Sequence, residues 1–371
     1  MTVPYDAFLL VSFGGPERPA DVMPFLENVT RGRGVPRERL EEVSHHYLAL
    51  DGVSPINGQN RALAAAIRDA FDARRIALPV YWGNRNWDPF LAEELARIHA
   101  DGHRRVLAFV TSAYSSYSGC RQYREDLARS LDEAGLLGRL AIDRIRQYFD
   151  HPGFIRPFAD GLAAALAELA SEGFAPSDVR VLFTTHSIPE AMAAASGPPG
   201  RSGPLGAYVA QHRATMACVL DAVRARGATV PPASLVYQSR SGSPHVPWLE
   251  PDINDAIRAA RADGMHAAVV VPIGFVSDHV EVVWDLDREA HETCDELGIR
   301  MLRVPTPGTD PAFVAAIANL VEERLTGAPA AALSPLGPWP AVCAPGCCAN
   351  PRAGLPTVGG DDSTAGGLAE A

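Results

Sequence analysis

Long apolar runs are missing from this sequence. None of its 371 residues lies in a stretch of the roughly 18–20 apolar positions that a membrane-spanning helix needs. The first residues also lack a basic region followed by an apolar block, so no signal peptide is expected. Positive charge is in short supply, with 33 basic side chains against 44 acidic ones and a net charge of −11. That balance argues against nucleic acid or an anionic membrane surface as the main partner. The turn after the first apolar stretch, Gly14-Gly15-Pro16, lacks the glycine spacing that cradles a dinucleotide, and Pro16 removes a backbone donor. A Gly-Xaa-Ser-Xaa-Gly nucleophile turn is absent as well, which weakens a hydrolase reading. Cysteine is sparse. The six present are Cys120, Cys218, Cys294, Cys343, Cys347 and Cys348, and in a soluble cytoplasmic chain, which is the reading adopted, they are not read as disulfides.

What is present is an ordinary globular composition, 47% apolar, in a chain long enough for two cores. Short apolar stretches alternate with amphipathic ones. Strands are expected at 7–13, 78–82, 106–111 and 141–145, and again at 179–184, 234–237, 267–272 and 299–304, with helices between them. That alternation implies an α/β protein with parallel sheets covered on both faces. Two doubly wound halves of similar plan are expected, meeting near residue 155, in element order and not in detectable sequence repeat. After Thr326 the composition turns to Ala, Pro and Gly. The stretch 327–350 reads as a linker with a cysteine-rich segment, and 351–371 as a disordered tail.

Ligands of open parallel sheets sit beyond the carboxyl ends of the strands. Here those ends hold Phe13, the 111–117 loop, Thr185-His186-Ser187 and the stretch from Gly274 to Glu281. A cleft gathering them would be lined by Phe13, Tyr114, Tyr117, Tyr123, Trp248 and Trp284, which suits a flat apolar ligand with one polar centre. Two polar groups stand out, His186 and Glu281. A neutral imidazole and a carboxylate together can bind a divalent metal or take protons near neutral pH. Behind Glu281, the acids Asp285 and Glu289 follow at intervals of four, which stacks side chains in one row on a helix. A single-sign row weakens a helix by about 0.2–0.5 kcal/mol per pair, so it points to a cation path or to an acidic surface face.

Several of these pieces occur together in one known family. The stretches 276–285 (VSDHVEVVWD), 185–189 (THSIP) and 247–252 (PWLEPD), with 31–33 and 52–56 in the first half, resemble ferrochelatases, specifically the soluble bacterial type. The resemblance runs from about residue 7 to 325. It implies a chelatase fold of two flavodoxin-like (Rossmann-type) domains, each a parallel four-stranded sheet flanked by helices. The expected domains are 1–155, joined by a C-terminal helix at 311–326, and 156–310, with a porphyrin held in the cleft between them. It also implies that His186 and Glu281 stand together over the ring as the catalytic pair. Metal or protons would pass along His186, Glu281, Asp285 and Glu289, on a π-helix-like segment. Phe13, Arg31, Ser54 and Tyr123 become the expected porphyrin contacts, the last three as propionate donors. The family's frequent tyrosine at the end of the first strand is Phe13 here, which removes a phenolate ligand for product iron. No hydrophobic membrane-binding extension follows the second half. Coproporphyrin III is therefore the expected substrate, ahead of protoporphyrin IX, with ferrous iron as co-substrate and a monomer as the expected state. A cobalt or nickel chelatase and a non-catalytic haem- or iron-sensing protein are the rival readings.

Cys343, Cys347 and Cys348 crowd soft thiolates into a flexible Pro/Gly/Ala setting, which suits Zn²⁺ or an iron–sulfur cluster. The resemblance favours a [2Fe–2S] cluster whose upstream ligand is Cys120. Cys218 and Cys294 fall in helical patterns and read as small buried apolar residues.

Overall fold

The computed structural model of the chain describes residues 4–32, 34–199, 203–242, 245–352, 354–361, 363 and 365. Arg33, part of one of the family-like stretches, lies outside them. The first half runs β1 (Ala7–Ser12), α1 (Val22–Val29), α2 (Arg37–Leu48), α3 (Pro55–Arg74), β2 (Val80–Asn84), α4 (Leu91–Ala100), β3 (Arg105–Val110), α5 (Gln122–Glu133) and β4 (Ala141–Arg144). The second runs α6 (Pro152–Ser171), β5 (Val179–His186), α7 (Glu190–Ala194), α8 (Gly206–Arg224), β6 (Ala233–Gln238), α9 (Ile253–Ala262) and β7 (Ala267–Val271). It continues with α10 (Val280–Val282), α11 (His291–Glu296), β8 (Arg300–Arg303) and α12 (Pro311–Thr326).

Both sheets are parallel and share one plan, β2-β1-β3-β4 and β6-β5-β7-β8. All six residues of β1 and all five of β7 are buried, as strands covered by helices on both faces require. In each sheet the chain turns one way after the first strand and the other way after the second. The crevice therefore opens between β1 and β3 in one half, and between β5 and β7 in the other. A single buried cluster runs through both halves, joining Phe8 and Phe109 to Phe183, Val269 and Phe313. α12 packs against α3 and α6. Gly153 lets α6 approach α12 closely, since a Cβ there would stand 2.3 Å from the Ala312 carbonyl oxygen.

The α/β alternation and the two halves of like plan stand as read from the sequence. The tail differs. Thr357 and Val358 are buried, and Val358 joins the core cluster of the first half with Leu127 and Leu131. Fully buried Arg124 of α5 donates to the Val358 carbonyl at 2.7 Å and to the Thr357 hydroxyl at 3.1 Å. A buried guanidinium needs acceptors, and the tail backbone supplies one. Within the stretch expected as a disordered tail, Thr357 and Val358 are thus packed against the first half.

Candidate active site

His186 closes β5 and Glu281 begins the helical run that follows β7, so the two leave the pair of strands that flank the crevice of the second sheet. Their approach depends on Gly274. A Cβ there would lie 2.2 Å from the Thr185 hydroxyl and 2.7 Å from Thr185 Cα, so only glycine lets the post-β7 loop cross the end of β5. The crossing is pinned by the Gly274 N–H donating to the Thr184 carbonyl at 3.0 Å. His186 Nε2 then stands 3.7 Å from Glu281 Oε2, with side chains 32% and 47% exposed and so open to a ligand. His186 Nδ1 lies 2.5 Å from the Ser187 carbonyl oxygen. A carbonyl can only accept, so Nδ1 carries a hydrogen and Nε2 is the nitrogen turned toward the carboxylate. A proton or a metal ion can be shared between these two groups. His279 adds a third group, its Nδ1 4.0 Å from the same carboxylate oxygen, and burial pushes its pKa down.

Behind Glu281 the backbone is a π-helix from Val283 to Ala290, wider than an α-helix and a common device at functional sites. Asp285 is held by the Ser239 hydroxyl and by Gln238 Nε2 at 3.3 Å. Burial pushes its carboxyl up to about 7. The Glu281 and Glu289 charges add to the rise, and together these outweigh the two hydrogen bonds. Glu289 is exposed and accepts from Trp284 Nε1 at 2.7 Å. Trp284 stacks on His46 of α2, with centroids 4.2 Å apart and planes 7° from parallel. Asp278 stands apart from the row, clamped by Arg303 at 3.1 and 3.3 Å.

The expected ring contacts are dispersed in character. Phe13 is 36% exposed and stands beside the Arg85 guanidinium, 5.8 Å from its ring centroid. Ser54 is buried at the N-terminus of α3, but its hydroxyl makes no capping bond and stays free of that task. Arg31 is exposed on the turn after α1. Tyr123 is buried beneath Arg85, whose guanidinium lies 4.2 Å from its ring centroid. Tyr114 does not line a cleft. It is buried in the seam between halves, donating to the Ile273 carbonyl at 2.8 Å and stacked 3.5 Å from His212 of α8. Its ring finds a flat partner and its hydroxyl an acceptor there, which a wet cleft wall does not supply. Trp248 is likewise nearly buried, against Gly242.

A second polar constellation lies in the first half. Residues 117–121, which overlap the loop expected at 114–120, form a π-helix carrying Cys120. Cys120, Cys347 and Cys348 form a buried cluster with Cys343 packed against it. The sulfurs of Cys120 and Cys343 are 4.0 Å apart, and those of Cys347 and Cys348 are 3.9 Å apart. The Gly197 N–H from the second half donates to Cys348 Sγ at 3.2 Å. Contacts with the Cys343 and Cys348 thiols, helped by the Arg144 guanidinium, pull Cys120 well below the ordinary thiol range. Cys347 is pulled down to about 5 by its Cys343 and Cys348 contacts, while Cys343 and Cys348 are pushed up. Among the described residues, no group of three or more His, Cys, Asp or Glu is arranged to hold a single metal ion. Cys218 and Cys294 lie apart, half-buried and buried, and burial raises both thiols, to about 11 and about 12.

A ferrochelatase family model matches residues 5–325. The chain belongs to the ferrochelatase family. Among its relatives, a coproporphyrin III ferrochelatase of Leifsonia xyli is 54% identical, over 96% of this chain and 95% of the relative. One of Streptomyces griseus is 53% identical over 97% of both chains, and one of Tropheryma whipplei is 51% identical over 96% and 92%. No helix among the described residues is long and apolar enough to cross a membrane.

In this ferrochelatase, sequence reasoning missed four groups around the sites. His46 faces Trp284 from the other half; only the His45-His46 doublet at the end of a helical pattern marked it. Gln238 and Ser239 hold Asp285, and Ser239 sits in the left-handed region at φ 61°, which no local pattern announces. Arg144 closes β4 directly after Asp143, so nothing in the local pattern marked it as a buried cation.

Proposed function

We propose that this chain inserts ferrous iron into coproporphyrin III. One observation carries the reading: His186 Nε2 and Glu281 Oε2 face each other at 3.7 Å, both open to a ligand. Free porphyrin holds two pyrrole N–H groups at its centre, and insertion must remove both protons while delivering Fe²⁺. The lone pair of His186 Nε2 takes a pyrrole proton, and Glu281 stabilises the imidazolium that results. Asp285 and Glu289 continue the acidic row away from the pair. Asp285, held near half-protonation at neutral pH, is suited to passing protons on. A flat macrocycle shields its nitrogens, so the ring must be held bent, with the strain drawn from contacts elsewhere on it. Arg31, Ser54 and Tyr123 are the proposed propionate partners. Ser54 is favoured further by its place at the positive end of the 20-residue α3. Phe13 supports release of product, since a phenyl ring cannot ligate iron. The names of the close relatives support coproporphyrin III over protoporphyrin IX.

We also infer that Cys120, Cys343, Cys347 and Cys348 hold a [2Fe–2S] cluster. The donor set fits. Four sulfurs converge from two parts of the chain in pairs about as far apart as two thiolates on one metal. Such a cluster supplies a one-electron couple. The residues themselves tie the tail, the 117–121 turn and, through Gly197, the second half together.

The test is an anaerobic metalation assay with Fe²⁺ and each porphyrin in turn. Coproporphyrin III should be metalated faster than protoporphyrin IX. His186→Ala should abolish turnover while a porphyrin titration still shifts the Soret band. An unimpaired His186→Ala enzyme would refute the role assigned to the imidazole. Tight haem binding without turnover in the parent protein would favour a sensor instead.

A further inference from the structure

Arg144, the last residue of β4, is 5% exposed and has no carboxylate within ion-pair distance among the described residues. Its neighbour Arg146, equally buried, is the internal contrast, with both Glu323 oxygens at 2.8 and 2.9 Å. Arg144 Nη1 donates instead to Cys120 Sγ at 3.2 Å and to the Cys120 carbonyl at 3.1 Å. Nη2 donates to Gln147 Oε1 at 2.7 Å. Gln147 is anchored in turn, its Nε2 on the Tyr114 carbonyl at 3.1 Å, so the guanidinium is held in one orientation. Arg144 Nε is buried with no partner. Arg144 also lines a cavity of about 110 Å³ together with Cys120, Cys343, Cys347 and Trp339.

A buried guanidinium without a compensating anion costs several kcal/mol. Here the groups nearest the charge are the Cys120 sulfur at 3.2 Å and neutral oxygens. Four neutral thiols would leave the cation uncompensated, so the sulfur site is built to carry net negative charge. An iron–sulfur cluster on four thiolates is anionic when oxidised and gains one further negative charge when reduced. A fixed cation and an N–H···S bond both favour the more negative form.

We propose that Arg144 is the positioning cation of the sulfur site, donating to the Cys120 sulfur and setting the reduction potential of the cluster upward. This rests on the four-cysteine cluster reading. The two are separable in one set of measurements on the full chain purified without oxygen. The parent protein is assayed for iron, acid-labile sulfide and visible bands, then titrated with dithionite against mediators while the reduced signal is followed by electron paramagnetic resonance. At the parent's midpoint potential, where reduced and oxidised forms are equal, Arg144→Gln should lower the reduced-to-oxidised ratio at least tenfold. For a one-electron couple that is 59 mV. Arg144→Lys keeps the charge and loses the planar fork, so its shift should be smaller and in the same direction.

Equal midpoints in all three proteins would overturn the role of Arg144 and leave the cluster reading standing. Zinc, or no labile sulfide, in the parent would end the cluster reading and this inference with it. If Arg144→Gln fails to load, the lysine variant decides: a lowered midpoint supports tuning and an unchanged one overturns it. Loss of the cluster from both variants would assign Arg144 to assembly and overturn the tuning role.

Discussion

One backbone carbonyl sets the orientation of the His186 ring. Ser187 O takes the Nδ1 hydrogen, and that turns Nε2 toward Glu281. The carboxylate charge, more than its shape, is then what the site requires. Glu281→Gln keeps the size and should lower metalation by roughly 10²–10⁴-fold. Porphyrin affinity, read from the Soret titration, should change far less. Loss of affinity in parallel with rate would mean that Glu281 serves the ring and not the metal or proton. At the same scale, Gly274→Ala sets a methyl 2.2 Å from the Thr185 hydroxyl and against backbone. It should cost about 1–3 kcal/mol in urea unfolding and displace Glu281 from His186. Normal turnover in that variant would contradict the argument that this glycine lets the two strand ends cross.

At the scale of elements, the seam between halves is built from α8 and the loop after β3, through Tyr114, Gln211 and His212. Ser115 N–H donates to Gln211 Oε1 at 2.7 Å. His212 is fully buried, and burial pushes it down to about 3; His151, at the head of α6, is pushed down to about 4 for the same reason. Both stay neutral in the folded chain and take a proton at about pH 6.5 once unfolded. The unfolded state therefore binds more protons between about pH 3 and 6.5, and stability falls as pH drops through that window. His212→Phe preserves the stack on Tyr114 and should flatten the fall by up to about 1.4 kcal/mol per pH unit, read from urea unfolding at pH 7 and pH 5. An unchanged slope would place the acid sensitivity elsewhere.

The order of these elements was legible, because period two and period 3.6 leave opposite marks on apolar placement. The acid row was legible for the same reason, since Glu281, Asp285 and Glu289 keep one interval. The π-helix at 117–121 was not, because i→i+5 bonding imposes no period over five residues. Tyr114 was misplaced because an aromatic residue at a strand end carries no mark of whether it meets a ligand or another half of the protein.

At the scale of the whole molecule, the tail joins what the two halves hold apart. Arg124 grips Thr357 and Val358, Cys343 pairs its backbone with Gly360, and Cys348 Sγ accepts from Gly197. Truncation after Thr326 removes three of the four sulfurs and takes tail partners from buried Arg124 and Arg146, while His186 stays on β5 and Glu281 on the helical run after β7. It should lower the melting temperature by several degrees and abolish the visible bands, with a smaller loss of metalation. A truncated chain as stable as the parent would show that the tail carries no structural role.

Taken alone, the amino-acid order determined the alternation of strands and helices, the doubling of the plan, the acidic row and the identity of the family, because each is written in local spacing. What only the tertiary structure decided is which side chains meet. Nothing within a few residues of His186 specifies a carboxylate 95 positions on, or an unpaired guanidinium beside Cys120. Those meetings follow from the shared crevice of two strands, from a glycine with no Cβ at the crossing, and from a tail that folds back because a buried charge needs acceptors.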